Sequence, residues 1–255
     1  MRRTIAVANQ KGGVGKTTTV INVAAYLAKS GQRVLIVDLD PQGNSSSGLA
    51  IGKNELKATL YDVLVRGVDA TEVICKTNFE GIDVLPSNSV LAAAEVELTK
   101  VRSARETRLR RILAKLDYDV ILIDCPPSLG LLTVNGLSAA DFVLIPVQSE
   151  YYALEGLGQL LNTIKQVRQV LNPKLALLGI AITMHNSRTS LSTQVETELR
   201  KHFKGNLFDS VIPRNVRLAE APSHGKPILY YDRFCRGASA YKKLSREIAT
   251  RAKLV

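Results

Sequence analysis

The sequence has no tryptophan, only two methionines and three cysteines, and few aromatic residues. The cysteines, Cys75, Cys125 and Cys235, are isolated and form no C-x-x-C pair, which argues against a disulfide framework and against a cysteine metal site. No apolar run approaches the roughly 18–20 residues that are needed to cross a bilayer. The apolar stretch after the first basic residues is too short for a signal peptide and soon turns polar. These absences predict a cytoplasmic protein.

Linkers, low-complexity tracts and internal repeats are also absent from the sequence. The chain has 255 residues, of which 45% are hydrophobic and 22% charged, as in ordinary globular proteins. This length is sufficient for one large α/β domain with its own core, so we expect a single domain over residues 1–255. The first predicted strand starts near residue 4. We therefore expect no separate DNA-binding module in front of it.

Positive charge is unevenly distributed along the chain. There are 34 lysines and arginines against 23 acidic residues, a formal net charge of +11. Residues 201–255 hold 12 of these cations but only 4 of the acidic residues. A basic C-terminal fifth predicts a polyanionic partner, either nucleic acid or an anionic membrane surface. A solvated basic surface with no partner explains the charge equally well, so charge alone leaves all three alternatives open.

Short β-branched and apolar runs alternate with helical patterns along the chain. Several runs are continuously apolar, which suits strands of a parallel sheet covered on both faces. The alternation predicts an α/β fold, a three-layer α/β/α sandwich around a doubly wound, mostly parallel sheet. The predicted strands are Thr4–Ala8, Val34–Asp38, Ile82–Leu85, Val120–Asp124, Phe142–Pro146, Leu177–Thr183 and, as a weaker pattern, Ser210–Ile212. The predicted helices are Thr17–Ser30, Glu106–Leu116, Tyr151–Leu171, Ser192–Phe203 and Gly237–Val255.

Residues 9–18 read N-Q-K-G-G-V-G-K-T-T between a predicted strand and a predicted helix, the context that a phosphate-binding loop requires. Its three glycines let backbone N–H groups approach phosphate oxygens, and the helix N-terminus adds positive potential. Lys16 is expected to reach the β- and γ-phosphates of ATP, and the Thr17 hydroxyl to ligate Mg²⁺. The predicted nucleotide-binding residues of the loop are Lys11, Gly12, Gly13, Val14, Gly15, Lys16, Thr17 and Thr18.

One lysine sets this loop apart from the general pattern G-x-x-x-x-G-K-[ST]. Gln10 stands where the first glycine would be, and Lys11 precedes Gly12. The run K-G-G-V-G-K-T-T resembles the deviant Walker A motif of the ParA/MinD group of P-loop ATPases. In that group the additional lysine, here Lys11, reaches across a dimer to the partner's nucleotide, whereas spacing alone shows only a second cation beside the phosphates. A lysine in trans would neutralise transition-state charge as an arginine finger does.

Two aspartate-bearing runs end predicted strands, where the ligand crevice of such a sheet lies. The run D-L-D-P-Q-G matches the ParA group, which implies that Asp40 positions or activates the attacking water and that Asp38 supports Mg²⁺ and Thr17. The alternative is that these aspartates only cap a turn. Val120–Asp124 is a Walker B pattern, which delivers one carboxylate to the metal side of the site. The predicted catalytic residues are Lys11, Lys16 and Asp40, and the predicted metal ligands are Thr17, Asp38 and Asp124.

In the last quarter of the chain the resemblance narrows to short, Soj-like ParA proteins, and it covers nearly the whole sequence. Ile212–Gly225 is similar to a family run whose P-R-N part borders the adenine, which implies that Pro213 and Asn215 lie at the base. Thr183–Thr189 matches another family segment less tightly. The segment around residue 214 therefore predicts the nucleotide's base pocket.

The same resemblance implies a surface that binds double-stranded DNA without reading its sequence. Arg188 and Arg217 belong to this surface by resemblance, and Lys242 and Arg246 are expected to extend it. Phosphate contacts of this kind give salt-sensitive, sequence-tolerant binding. For any single basic residue, a solvated side chain is an equally good interpretation.

Together these motifs predict a partition ATPase that is weakly active alone. The resemblance implies an ATP-bound homodimer that coats the nucleoid and a ParB-type partner that triggers hydrolysis, so that chromosome or plasmid DNA is segregated. The protein is then expected to be nucleoid-associated, with no stable membrane association.

Three other functions remain open on sequence alone. A MinD-like membrane-cycling ATPase would use the apolar stripe of the last predicted helix, which lacks Trp and Phe and is expected to dock on the core instead. An iron–sulfur reductase component or cluster carrier would need exposed, paired cysteines. A metabolic amide ligase or kinase also stays open, because a fold does not determine a function. The residues of the apolar stripe are Tyr241, Leu244, Ile248, Ala252 and Val255.

Overall fold

The computed structural model describes residues 2–53, 55–101, 103–150 and 153–254, with residues 153–155 as backbone only. These ranges contain one eight-stranded sheet with the order β3-β4-β2-β5-β1-β6-β7-β8. All neighbouring strands are parallel except β3, which runs antiparallel to β4 at the edge. The strands are β1 Arg3–Val7, β2 Val34–Asp38, β3 Cys75–Lys76, β4 Ile82–Leu85, β5 Val120–Asp124, β6 Phe142–Gln148, β7 Ala176–His185 and β8 Leu207–Pro213.

Helices connect the strands and cover both faces of the sheet. They are α1 Lys16–Lys29, α2 Asn44–Ser47, α3 Ala70–Val73, α4 Ala92–Thr99, α5 Arg108–Leu113, α6 Leu131–Ala139, α7 Ala153–Val170, α8 Ser190–His202, α9 Val216–Glu220, α10 Ile228–Tyr231 and α11 Arg236–Arg251. A π-helical turn at Asp62–Arg66 and 3₁₀ turns at Ser89–Leu91, Arg105–Thr107 and Ala221–His224 complete the helical segments. None of the helices in the described ranges is both long and apolar enough to span a membrane.

Successive side chains of a strand point to opposite sides of the sheet. Because helices cover both sides, the central strands are buried on both faces. Leu35, Val37 and Ile121 pack in one apolar cluster with side chains of α4, α5, α6 and α8. Val34 and Ile36 pack in a second cluster with side chains of α1, α10 and α11. The predicted three-layer α/β/α architecture is therefore confirmed.

The apolar stripe of α11 belongs to this core. Tyr241, Leu244, Ile248 and Ala252 are each at most 1% exposed and pack in the cluster that contains α1. The hydroxyl oxygens of Thr19 and Tyr241 lie 3.1 Å apart, and Tyr26 donates a hydrogen bond to the carbonyl oxygen of Ala238. The stripe is thus occupied by core packing, as expected from its composition. Val255 lies outside the described residues.

The sequence patterns missed some elements and misplaced the ends of others. The two-residue strand β3 and the helices α4 and α6 carry no clear periodicity. Six of the nine residues of α6 are buried and the other three are half-buried, so its apolar residues are not confined to one face. The helix predicted at Glu106–Leu116 is a 3₁₀ turn followed by the shorter α5. Tyr151 and Tyr152, the predicted start of α7, lie outside the described residues.

Candidate nucleotide-binding site

The phosphate loop connects the end of β1 to the start of α1. Gly13 and Gly15 have φ angles of 75° and 86°, in the left-handed region that residues with a Cβ rarely adopt. Gly15 immediately precedes α1 and offers no side chain to cap it. The first N–H groups of α1 therefore remain to bind an anion at the positive end of the helix dipole.

Lys16 is a buried cation at the centre of this loop. Its side chain is 6% exposed, and its Nζ donates a hydrogen bond to the carbonyl oxygen of Lys11 at 3.2 Å. Burial lowers the pKa of Lys16, while the nearby carboxylates of Asp124 and Asp40 oppose that shift. A buried ammonium held by one backbone carbonyl is well placed to bind phosphate oxygens, which would compensate its desolvation.

Asp38 and Asp124 end neighbouring parallel strands and stand directly opposite each other in the register of β2 and β5. Both residues are completely buried. Oδ2 of Asp38 accepts hydrogen bonds from the backbone N–H and the hydroxyl of Ser46, at 2.8 and 2.7 Å. Oδ2 of Asp124 accepts a hydrogen bond from the hydroxyl of Ser45 at 2.8 Å. The strand register thus brings together two carboxyls that lie far apart in sequence.

The second carboxyl oxygen of each aspartate is unsatisfied. Oδ1 of Asp38 and Oδ1 of Asp124 are buried without a hydrogen-bond partner among the described residues. Burial raises the pKa of both carboxyls. The neighbouring Asp124 raises that of Asp38 further, and the hydroxyls of Thr17 and Ser45 partly offset the rise at Asp124. Buried acceptors without donors are costly, so this pair fits a bound cation.

The predicted metal ligands fit Mg²⁺ better than a metal held by protein side chains alone. In the described part of the chain no three His, Cys, Asp and Glu side chains are grouped to hold a metal ion by themselves. Mg²⁺ is commonly bound through one or two protein oxygens, with water and phosphate oxygens completing its octahedron. Thr17, Asp38 and Asp124 can supply such a partial set, since the Thr17 hydroxyl lies near Asp124.

Ser45 and Ser46 are site residues that the sequence analysis missed. They belong to the short helix α2, directly after the D-L-D-P-Q-G run, and both are fully buried. The Ser46 hydroxyl also accepts a hydrogen bond from the backbone N–H of Ser87 at 3.2 Å. The polar run N-S-S-S after Gly43 was the available signal, because buried hydroxyls next to strand-end carboxyls orient those carboxyls.

Asp40 follows the carboxyl end of β2, on the same side of the sheet as Asp38 and Asp124, and is 7% exposed. Its Oδ1 accepts a hydrogen bond from the backbone N–H of Gln42 at 2.9 Å, and its backbone carbonyl accepts one from the Ser87 hydroxyl. Asp40 therefore does cap the turn before the proline, as the alternative interpretation expected. The same carboxylate also lies near Lys16. The capping contact therefore does not conflict with a hydrolytic role for Asp40, which stays a prediction.

Lys11 forms an ion pair with Glu150 of its own chain. The two side chains are 40% and 48% exposed, and the Gln148 side-chain amide donates a hydrogen bond to the other Glu150 oxygen at 2.7 Å. The backbone N–H of Lys11 donates to the side-chain oxygen of Asn9, whose amide in turn bonds to a buried backbone carbonyl. The sequence placed Lys11 beside the phosphates, but its partner in the single chain comes from the end of β6.

A cavity of about 250 Å³ adjoins the phosphate loop. Pro213 and Asn215, the residues predicted to border the base, both line it, together with Thr18. Asn215 also caps α9, because its Oδ1 accepts a hydrogen bond from the backbone N–H of Leu218 at 3.3 Å. Three further lining residues were not assigned a role from sequence: Thr183, Met184 and Tyr241.

The residues predicted to bind DNA are all exposed, but they lie in different local environments. Arg188 follows β7 and lines a groove beside α8. Arg217 on α9 is ion-paired with Glu220 at 3.0 Å and lies 3.5 Å from a carboxylate oxygen of Asp232. The two α11 residues, Lys242 and Arg246, face a cavity between α1 and α11.

Comparison with known proteins places these features in a family. The model of an AAA domain family matches residues 2–177. The sporulation initiation inhibitor protein Soj of Bacillus subtilis is 54% identical over 251 residues, which cover 98% of this chain and 99% of that protein. The chromosome partitioning protein ParA of Caulobacter vibrioides is 52% identical over 252 residues, with 98% and 94% covered.

Among solved structures, cobyrinic acid a,c-diamide synthase from Mycobacterium smegmatis with bound ADP and magnesium is 41% identical, with a TM-score of 0.85. It covers 96% of this chain, and this chain covers 93% of it. These relatives are more than half identical over nearly the whole chain, which confirms the resemblance that the deviant phosphate loop indicated. The chain belongs to the ParA/Soj family of chromosome-partitioning P-loop ATPases.

Proposed function

We propose that residues 1–255 form a single DNA-partition ATPase domain that binds ATP and Mg²⁺ and dimerises around the nucleotide. Its ATP-bound dimer binds double-stranded DNA non-specifically in the cell's nucleoid. A ParB-type partner stimulates hydrolysis, which releases the DNA. The observation that carries this proposal is the convergence of Lys16 and two buried, unsatisfied carboxyls at one edge of the sheet.

Nucleotide binding would use the backbone and side chains of the phosphate loop. The N–H groups of residues 12–18 surround the phosphates, and the buried Lys16 contacts the β- and γ-phosphates. Thr17, Asp38 and Asp124 would hold Mg²⁺, directly or through water, and the bound metal would supply positive charge against the phosphate oxygens. Pro213 and Asn215 would border the base, and the contact that caps α9 uses the Asn215 side-chain oxygen rather than its nitrogen.

Hydrolysis would need two further groups. Asp40 orients the attacking water, because it lies at the strand edge next to Lys16. Lys11 leaves Glu150 in the dimer and reaches the nucleotide of the second copy, where its charge stabilises the transition state. An exposed ion pair is worth at most about 1 kcal/mol, so breaking it costs little. The single chain therefore lacks a group in its own site until it dimerises, which accounts for weak activity alone.

DNA binding would use the exposed cations that the resemblance assigned and the two on α11 that were expected to extend their surface. Arg188, Lys242 and Arg246 have no carboxylate within ion-pair distance among the described residues, so they are available to phosphates. Arg217 already has Glu220 and Asp232 as partners, which must be exchanged for phosphate oxygens. We therefore expect Arg188 to contribute more to DNA affinity than Arg217.

The test is DNA binding at moderate salt with ATP, with ADP and without nucleotide, combined with light scattering. The proposal predicts a dimer and tight duplex binding only with ATP, and affinity that falls steeply with salt. Equal DNA binding in all three states would refute the nucleotide switch. The Lys16→Ala chain is the matched control, since it should form no ATP-dependent dimer and show no ATP-dependent gain in DNA binding.

A further inference from the structure

A second cavity, of about 610 Å³, lies between α1 and α11, away from the phosphate loop. Its volume falls within the range of about 300–1,000 Å³ that is usual for small-molecule sites. Four cationic side chains line it, and no acidic side chain does among the described residues. These cations are Lys29, Arg233, Lys242 and Arg246. None of them lies within 4.0 Å of a carboxylate oxygen of the described residues.

The walls of this cavity are apolar and partly aromatic. Phe234 is 84% exposed, and the guanidinium of Arg233 lies 4.7 Å from the centre of its ring. The ring of Tyr26 forms another wall, with its hydroxyl already bonded to a backbone carbonyl. An exposed phenylalanine beside unpaired cations offers both a stacking surface and charge-assisted donors.

Two features indicate a formed site rather than a random depression. Asp232 accepts hydrogen bonds from the backbone N–H groups of Phe234 and Cys235, both at 3.2 Å, which fixes the loop that carries Arg233 and Phe234. Ser245, on the α11 wall, is 3% exposed and its hydroxyl has no hydrogen-bond partner in the described part of the chain. A buried hydroxyl without a partner is rare in native proteins, so the α11 wall keeps an unused donor beside the cavity.

We propose that this cavity binds a nucleotide, a ligand with a flat aromatic group and several negative charges, independently of the phosphate loop. The base stacks on Phe234, and the phosphates contact Lys29 and Arg233 at the open end. The last turn of α1 lines the cavity and its first turn follows the phosphate loop, so one helix contacts both ligands. Because Lys242 and Arg246 are shared with the proposed DNA surface, the bound nucleotide would weaken DNA binding, a consequence that rests on the proposed function.

The binding test uses the full chain with Lys16→Ala, which removes the buried lysine of the phosphate loop. Equilibrium dialysis with ADP, GDP and inorganic pyrophosphate should show about one nucleotide per Lys16→Ala chain and two per unchanged chain. Adding Lys29→Glu and Arg233→Glu should weaken nucleotide binding at least about tenfold, since charged hydrogen bonds are lost. The exposed Lys174→Glu is the matched charge reversal outside the cavity and should leave affinity unchanged.

Phe234→Ala distinguishes a nucleotide site from a simple anion site. Because the Phe234 side chain is exposed, the variant should still fold. It should lower the affinity for ADP and GDP several-fold and leave the affinity for pyrophosphate unchanged. No binding to the Lys16→Ala chain, equal affinity for pyrophosphate and nucleotides, or equal effects of the Lys174 and cavity reversals would overturn the proposal. Loss of DNA binding alone in the cavity variants would also overturn it and assign these cations to the DNA surface.

Discussion

Charged residues around the carboxyl ends of the central strands and charged residues in the last third of the chain are placed in opposite ways. Lys16, Asp38 and Asp124 are almost fully buried, and the two carboxyls each keep one oxygen without a donor. Arg188 and Arg217 are exposed, and Arg217 is paired within its own chain. Buried charges need a ligand to be stable, whereas exposed charges are already solvated. The charges of the first region therefore need a bound partner, whereas those of the second do not.

The largest effect is expected at the buried cation. Lys16→Ala should reduce the affinity for ATP at the phosphate loop at least about 100-fold, because a charge-assisted contact in a desolvated loop is removed. Titration with a fluorescent ATP analogue measures this loss, and circular dichroism checks that the fold is retained. Unchanged ATP affinity would refute the assigned contact between Lys16 and the phosphates. Lys53→Ala is the control, since Lys53 is a lysine with an ordinary backbone contact to Gln42.

The next largest effect is expected at Asp40, where substitution should abolish most ATP hydrolysis without preventing ATP binding. Asp40→Ala should keep ATP binding and lower kcat by about 10²–10⁴-fold, the usual range for general acid–base catalysis. ADP production and light scattering would then report a long-lived ATP dimer. Full ATPase activity in this variant would remove Asp40 from the mechanism and leave only its turn-capping contact. Asp209→Ala, at an exposed carboxylate on β8, should change neither measurement.

A smaller effect is expected at the Ser46 hydroxyl, which donates a hydrogen bond to Asp38 and which the sequence analysis did not predict. Ser46→Ala removes the 2.7 Å hydrogen bond to the carboxyl and the acceptor for Ser87 N–H, so it should destabilise the protein by about 1–3 kcal/mol. Urea unfolding measures this change. Ser47→Ala, one residue further along α2, should stay within about 0.5 kcal/mol. Equal stability of the two variants would show that Ser46 does not support the carboxyl.

The smallest effect is expected at the exposed ion pair. Glu150→Gln frees Lys11 from its partner in the same chain and should favour the ATP dimer by up to about fivefold, as expected for a surface pair worth at most about 1 kcal/mol. Light scattering against protein concentration with ATP gives the dimer midpoint. The gain should disappear in Lys11→Ala, which has no side-chain cation to release. A weaker dimer in Glu150→Gln would contradict the proposed exchange of Lys11 between partners.

Local patterns predicted most of the sheet and the phosphate loop. β2, β4 and β5 lie at their predicted bounds, because continuous apolar runs suit buried parallel strands. Helices such as α6 escaped prediction because burial on all sides removes the periodicity that identifies a helix. Pro213 and Asn215 were predicted by resemblance to border the base, and both line the cavity beside the phosphate loop. Thr183 and Tyr241, which line the same cavity, come from distant segments and carry no local pattern.

The amino-acid sequence by itself determined the loop at residues 11–18, since glycine conformation and the Lys-Thr pair are properties of adjacent residues. Only the tertiary structure decided which groups face that loop. The register of β2 against β5 sets Asp38 opposite Asp124, and the end of β6 brings Glu150 to Lys11. The cavity between α1 and α11 likewise exists only after two ends of the chain pack together. Contacts across long sequence separations follow from packing, which no local pattern encodes.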